Sequence, residues 1–485
     1  MIDGLKPYPK MKDSGVPWLG EVPEHWEVRR LKYLLRERDV RSSEGTEQLL
    51  RVSQFTGVTE RKRADGGDEP DTRAESLVGY KRVEANDLVV NIMLAWNGSM
   101  GVSSFPGIAS PAYCVYRFGT SAQPWYFHHL LRSPTYKARI KAVSTGVVES
   151  RLRLYTDDLY RLEALLPPLP EQAAIVRFLD HADRRIRRYI RAKQKLIKLL
   201  EEQKQAIIHR AVTRGLDPNV RLKPSGVEWL GDVPEHWEVG PLKRFVAQRP
   251  GAIKAGPFGS QLTASEMLAS DYKVFTQRNV IDRDLDAGNN YVSAAKFETM
   301  RAFEVFAGDI LVTSRGTIGR TALVGEHCAK GILHPCLLRV QPDLKRLLPE
   351  FLMTLVQDSQ LLPRQLSLLS NATTIDVIYT GTLANIVIPL PPISEQQAIL
   401  VDVDRRTSAS AIARAHVSRE IDLLREYRTR LIADVVTGKL DVREAAADLP
   451  VEAEEPEPLD EIEAEGDADE AAADDADKVP EAAEA

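Results

Sequence analysis

Two stretches of this 485-residue chain carry a helical hydrophobic period, and the segments between them do not. In the first, a 4-3 spacing lines up Ile175, Leu179, Ala182, Ile186, Tyr189, Lys193, Leu196, Leu200, Gln203 and Ile207, with Arg and Lys crowding the other faces. In the second, Ile399, Val403, Ala413, Val417, Leu424, Tyr427 and Leu431 keep the frame, which Arg406, Ser410 and Glu420 interrupt. Such a seam cannot stay in water, so each helix needs a partner, and the simplest partner is the other one. At 1.5 Å per residue, forty residues make a rod of roughly 60 Å.

Both helices follow prolines, in "LPPLPEQ" at Leu166 and "LPPISEQ" at Leu390, which suits a first turn whose N–H groups have no internal partner. In the second copy Ser394 is expected to serve as N-cap with Gln397 completing a capping box. Elsewhere the pattern is short apolar runs broken by Gly, Pro, Asn and Asp, as in "NDLVVNIMLAWNGSMGV" from Asn86 and "GDILVTSRGTIGRTALV" from Gly308. These predict strands and turns.

The chain is written twice. From Lys12 to Lys32 against Lys223 to Lys243, sixteen of twenty-one positions are identical, including Trp18 with Trp229, His25 with His236 and Trp26 with Trp237. The helix starts also repeat, Leu166 to Asp180 against Leu390 to Asp404, as do Val212-Thr213 and Val436-Thr437. One mixed α/β unit therefore occurs twice, with unlike loops between like ends. In the opening motif Trp18, Leu19, Val22, Trp26 and Val28 are expected to form an apolar wedge with Pro23 fixing the turn, and the histidines to pack or hydrogen-bond.

Composition changes this picture at one end. The formal charge is −6, but residues 444–485 hold eighteen Asp or Glu against one Lys, and removing that −17 leaves +11 for the rest. The tail has almost nothing large and apolar, so burial could not offset its ordering entropy, and disorder is expected there. The basic body suggests a polyanion such as nucleic acid, where Lys and Arg displace counterions from phosphates. Three cysteines, Cys114, Cys328 and Cys336, show neither disulfide nor zinc spacing, and no run approaches the length of a membrane span. A reducing, cytoplasmic setting is expected.

Catalytic signatures are missing. There is no GxxxxGK[ST] loop for ATP and no methyltransferase tetrad, and the run "RKRADGGDEPDTR" from Arg61 reads as a solvated loop rather than a metal-nuclease site. No catalytic, cofactor-binding or metal-ligating residue is assigned.

Two WLGxVPEHWEV openings, two L-P-P-x-x-E-Q helix starts and two variable α/β segments together resemble the specificity subunit of type I restriction-modification enzymes, over residues 12–445. The resemblance implies a duplicated α/β (α+β) fold, with two globular target recognition domains separated by two long antiparallel coiled-coil helices in pseudo-twofold arrangement. The expected domains are 1–165, first recognition domain; 166–222, central helix; 223–389, second recognition domain; 390–443, C-terminal helix; and 444–485, disordered acidic tail. The family's subunit reads a bipartite double-stranded DNA target, one half-site per domain. It binds two modification subunits, which use S-adenosylmethionine to methylate adenine, and through them two restriction subunits that hydrolyse ATP and cut DNA with Mg. No cofactor is expected in this chain. A stand-alone nuclease or methyltransferase, or a duplicated protein scaffold indifferent to DNA, are the competing readings.

Base reading calls for paired donors and acceptors on loops of the unlike segments. The candidates in the first domain are Arg61, Lys62, Arg63, Asn91, Trp96, Asn97, Ser99, Ser144, Thr145, Arg151 and Arg153. In the second they are Lys254, Ser260, Gln261, Gln277, Arg278, Asn279, Arg315, Thr317, Arg320, Asn371 and Thr373.

Overall fold

The computed structural model describes residues 5–61, 74, 76–148, 152–228, 230–268, 270–359, 361–369 and 377–450. They divide into two compact units, one of residues 1–195 with 417–485 and one of residues 196–416. Each unit thus takes one recognition segment, the front half of one long helix and the rear half of the other. The helices run Leu169–Arg214 and Ile393–Val436.

The first unit centres on an antiparallel sheet in the order Leu35–Glu37, Tyr113–Phe118, Leu88–Asn91, Met100–Val102. The second repeats that order with Ile253–Ala255, Leu337–Val340, Ile310–Thr313, Thr321–Leu323. The register repeats as well, Tyr113 facing Asn91 and Leu337 facing Thr313. In both central strands every residue is buried, and the pleat sorts them. Leu88 and Val90 join the core beneath the helices while Val89 joins a second core; Ile310 and Val312 do the same against Leu311. Short apolar runs are therefore needed on both faces, which is why these strands show no polar alternation.

Within the first unit the long helices pair antiparallel: Asp183 meets Arg428 and, further along, Lys193 Nζ lies 2.7 Å from Glu420 Oε2. In the second unit Glu201 takes Arg414 at 2.6 Å, and Ile208, Ala211 and Val212 share a core with Ile399 and Val403. Two of the polar seam positions, Lys193 and Glu420, are thus ion-paired with each other. The heptad frame itself drifts: Ile190 is buried while Tyr189 is 52% exposed, and Ile208 is buried where Ile207 is only partly so. A straight helix slips about 20° per heptad against a strict 3.5 repeat, so a neighbouring residue takes over after two heptads. Ile393 already begins the second helix, so Ser394 lies inside it rather than capping it; Pro392 O accepts from the amides of Glu395 and Gln396 instead.

The opening motif packs as a wedge in the first unit. Val22 and Trp26 are fully buried, and Trp18 sets its edge against the Tyr136 ring, centroids 5.0 Å apart. The rear of the second long helix closes this core: Gly438, at φ +77°, lies so near that a Cβ there would come within 2.4 Å of Pro23 Cδ. Glycine serves both the turn and the approach. Order also extends past Glu444, where the acidic tail was expected to begin. A short helix, Arg443–Ala447, buries Ala446 beside Val442, and Leu449 O accepts from Arg177 Nη2 at 2.5 Å. Two small apolar side chains suffice for that turn; the tail from 451 lies outside the described residues.

Candidate nucleic-acid interface

Each unit is locked by one carboxylate. Glu171, in the first helix's opening turn and 6% exposed, accepts from Trp26 Nε1 at 2.9 Å and Tyr8 OH at 2.6 Å, and its other oxygen lies 2.7 Å from His25 Nε2. In the second unit Glu395 accepts from Trp237 Nε1 at 3.0 Å and lies 2.7 Å from His236 Nε2. Burial and the Glu171 carboxylate push the Tyr8 phenol well above its ordinary pKa, so it stays a donor. The neighbouring glutamines repeat too. Gln172 bridges Gln123 N and Pro167 O, and Gln396 bridges Leu348 N and Pro391 O. The repeated histidines therefore do have a carboxylate partner, one contributed by the other repeated motif. A charge kept in both helix starts was the available signal, hidden because the partners lie 146 and 159 residues apart in sequence.

Upon this frame some of the candidate readers stand beyond the end of the central strand. In the first unit the loop after the helix Pro134–Val143 returns to that strand end, Leu154 N donating to Ile92 O, with Thr145 and Arg153 paired through both main-chain bonds at 2.9 Å. In the second, Ile378 N donates to Ser314 O, Arg315 bridges Val377, and Gln277 Nε2 donates to Arg315 O at 2.9 Å. The turn Ser314–Arg320 is held from below by Thr313, whose hydroxyl donates to Thr317 O at 2.6 Å and accepts from Arg320 N at 2.9 Å. Arg315, Thr317 and Arg320 are thereby presented to solvent on a fixed turn.

Exposed candidates are Thr145, Arg153, Ser260, Gln261, Arg278, Arg315, Thr317 and Arg320. Arg278 is 89% exposed and forms an ion pair with Asp282 Oδ2, 3.2 Å away; Gln261 Oε1 accepts from Phe258 N. Arg61, Lys254 and Gln277 are partly buried, Lys254 with its ammonium 4.8 Å above the Phe303 ring. Lys62, Arg63, Arg151, Asn371 and Thr373 lie outside the described residues.

Three candidates are corrected. Asn91 and Ser99 are wholly buried, the first accepting from Met93 N and the second donating to Asn97 Oδ1 at 2.8 Å. Asn279 is 4% exposed, accepts from Thr276 N and Oγ1, and donates to Asp284 O and Ala287 O. These amides and hydroxyl satisfy turns in their own chain, which is what Asn and Ser do beside sharp bends. Partly buried neighbours bond in the same way, with Trp96 Nε1 donating to Met93 O, Asn97 Oδ1 accepting from Ser99 N, and Ser144 Oγ donating to Ile140 O. Among the described residues no cluster of three potential metal ligands occurs, and no helix is long and apolar enough to cross a membrane.

The family profile described as "Type I restriction modification DNA specificity domain" matches residues 268–413, a stretch that spans most of the second unit's sheet and the front of its helix. Over that stretch the chain is similar to the DNA specificity domain of type I restriction-modification systems. Relatives include the type I restriction enzyme MjaVIII specificity subunit of Methanocaldococcus jannaschii, 23% identical over 378 residues, 75% of this chain and 83% of that one. Another is the EcoBI specificity subunit of Escherichia coli, 23% identical over 326 residues, 65% of each chain. A solved chain described under complex assembly and conformational transition of the type I R-M system shares the fold, with a TM-score of 0.62 at 19% identity, covering 86% of this chain and 99% of that one. The matched domain and both curated relatives are named for sequence specificity in type I restriction enzymes.

Proposed function

We propose that each unit reads one half of a bipartite double-stranded DNA target. The reading is carried by one observation: both units have the same strand order and the same Glu-His-Trp lock, while the turn beyond the central strand differs, the largely buried "AWNGS" against "SRGTIGR" with its exposed Arg315, Thr317 and Arg320. Like frames suit two identical partners, and unlike turns suit two different half-sites. Arg315 and Arg278 are the readers in the second unit, since an exposed guanidinium can make two bonds to one guanine edge. Arg153 and Thr145 occupy the corresponding place in the first.

The long helices extend through both units, so the number of residues in them sets the tolerated gap between half-sites, and their faces receive two modification subunits. Those partners supply S-adenosylmethionine-dependent adenine methylation, and restriction subunits joined through them supply ATP- and Mg-dependent cleavage, in the cytoplasm. This chain itself needs no cofactor for recognition.

The test is methylation-site sequencing in a host carrying the intact system with Arg315→Ala. One lost two-bond contact costs about 1–3 kcal/mol at one base position, so the second half-site relaxes and the first stays as it was. Equal weakening over unrelated sequences would assign Arg315 to phosphate instead.

A further inference from the structure

The first unit holds a cavity of about 340 Å³. Its wall includes the start of the helix Pro134–Val143 and residues of the paired long helices. Ser133 is the N-cap of that ten-residue helix, yet its side chain makes no capping bond; it is 1% exposed and its hydroxyl has no hydrogen-bond partner. A buried hydroxyl without a partner is costly and uncommon. One turn on, and on the same face, stands Lys137.

Lys137 is half-buried, and among the described residues its ammonium has neither a hydrogen bond nor an ion pair. Its stem crosses Gly98, where a Cβ would come within 2.9 Å of Lys137 Cδ, so the residue opposite leaves room for it. Burial, with Arg132 nearby, draws the Lys137 ammonium below the ordinary lysine value. A third polar atom in the wall, His129 Nε2, is buried without a hydrogen bond and stands 3.8 Å from Asp180. The other carboxylate there, Asp183, is already taken by Arg187 at 2.7 Å and by Arg428. Arg132 donates to the carbonyls of Gln54 and Phe55 at 2.7 and 2.9 Å, which fixes its positive charge at the rim. Counting Arg132, Lys137, Arg187 and Arg428 against Asp180 and Asp183, the wall has a surplus of two positive charges.

We infer that this cavity binds a phosphate group, held by the Lys137 ammonium and the Ser133 hydroxyl at the positive end of the helix. A tetrahedral oxyanion supplies acceptors for both idle donors, and a helix start favours negative charge. The group can come from a free phosphate-bearing ligand or from a DNA backbone. Because the first source does not involve base reading, this site and the half-site assignment fail separately: Arg315→Ala would still alter one half-site.

Inorganic phosphate is titrated into the full-length chain by calorimetry at constant ionic strength, alongside Lys137→Gln and Ser133→Ala, and the salt dependence of duplex binding is measured for each. Saturable phosphate binding, weakened about tenfold by Lys137→Gln and less by Ser133→Ala, with an unchanged duplex salt slope, marks a free ligand. A slope reduced by about one marks a backbone phosphate. No saturable binding with an unchanged slope, or binding indifferent to both substitutions, overturns the inference. Circular dichroism verifies folding, and Ser133→Ala, which removes a hydroxyl that caps nothing, carries the test if Lys137→Gln does not fold.

Discussion

Replacing Glu171 by alanine should unfold the first unit far more easily than the matching Glu395→Ala unfolds the second. Glu171 is 6% exposed and serves three donors, whereas Glu395 is 26% exposed and serves two. A hydrogen bond to a charged acceptor contributes about 1.5–3 kcal/mol, and a buried donor left unpaired costs about 1–3 kcal/mol. In the first unit Tyr8 and Trp26, both buried, lose their acceptor together, while His25 can turn to water. That sums to about 3–5 kcal/mol. In the second, only Trp237 is buried, and His236 is half exposed, which leaves about 2 kcal/mol. Urea unfolding followed by tryptophan fluorescence reads the difference, and with slopes of about 2 kcal/mol per molar the midpoints fall by roughly 2 M and 1 M. Tyr8→Phe, which has no counterpart in the second lock, should couple to Glu171→Ala in a double-mutant cycle and be additive with Glu395→Ala. Equal losses in the two units, or a larger loss at Glu395, would refute the claim that the buried carboxylate holds the motif.

Asn279→Ala should lower stability by about 2 kcal/mol, measured by thermal unfolding, while changing DNA sequence preference only through lost order, because it removes four bonds within one turn. Inserting four residues after Leu200 should change the tolerated distance between half-sites and leave each half-site sequence as it was; methylation-site sequencing showing the old gap would defeat the ruler. Burial pushes the Asp183 carboxyl up, but Arg428 and Arg187 outweigh it and hold it below the ordinary range. Its ionised form therefore stabilises the fold above the unfolded carboxylate pKa, of about 4. That contribution fades as pH falls through the lower folded value, so Asp183→Asn should cost stability at pH 7 and progressively less in acid, as urea midpoints across that range would show.

Much of this molecule was legible in its residues. The duplication, the two long helices and the strand-rich segments follow from repeats and periodicity, because these features are local or copied verbatim, and the family resemblance rests on the paired motifs. The seam was legible to within one residue, as Tyr189 and Ile190 show, since a 3.5 repeat and a 3.6 helix part only slowly. Contacts between distant residues were not legible. Nothing in sequence says that Glu171 meets His25 and Trp26, that Lys193 and Glu420 answer each other, or that Gly438 closes on Pro23. The same limit governs the readers of DNA. Residue type nominated Asn91, Ser99, Asn279 and Arg315 alike, but whether a polar side chain points to solvent or to its own backbone depends on where the turn leads. Tertiary structure buried the first three and left Arg315 exposed to face a partner, because the turns' own backbone groups had prior claim on those three short side chains.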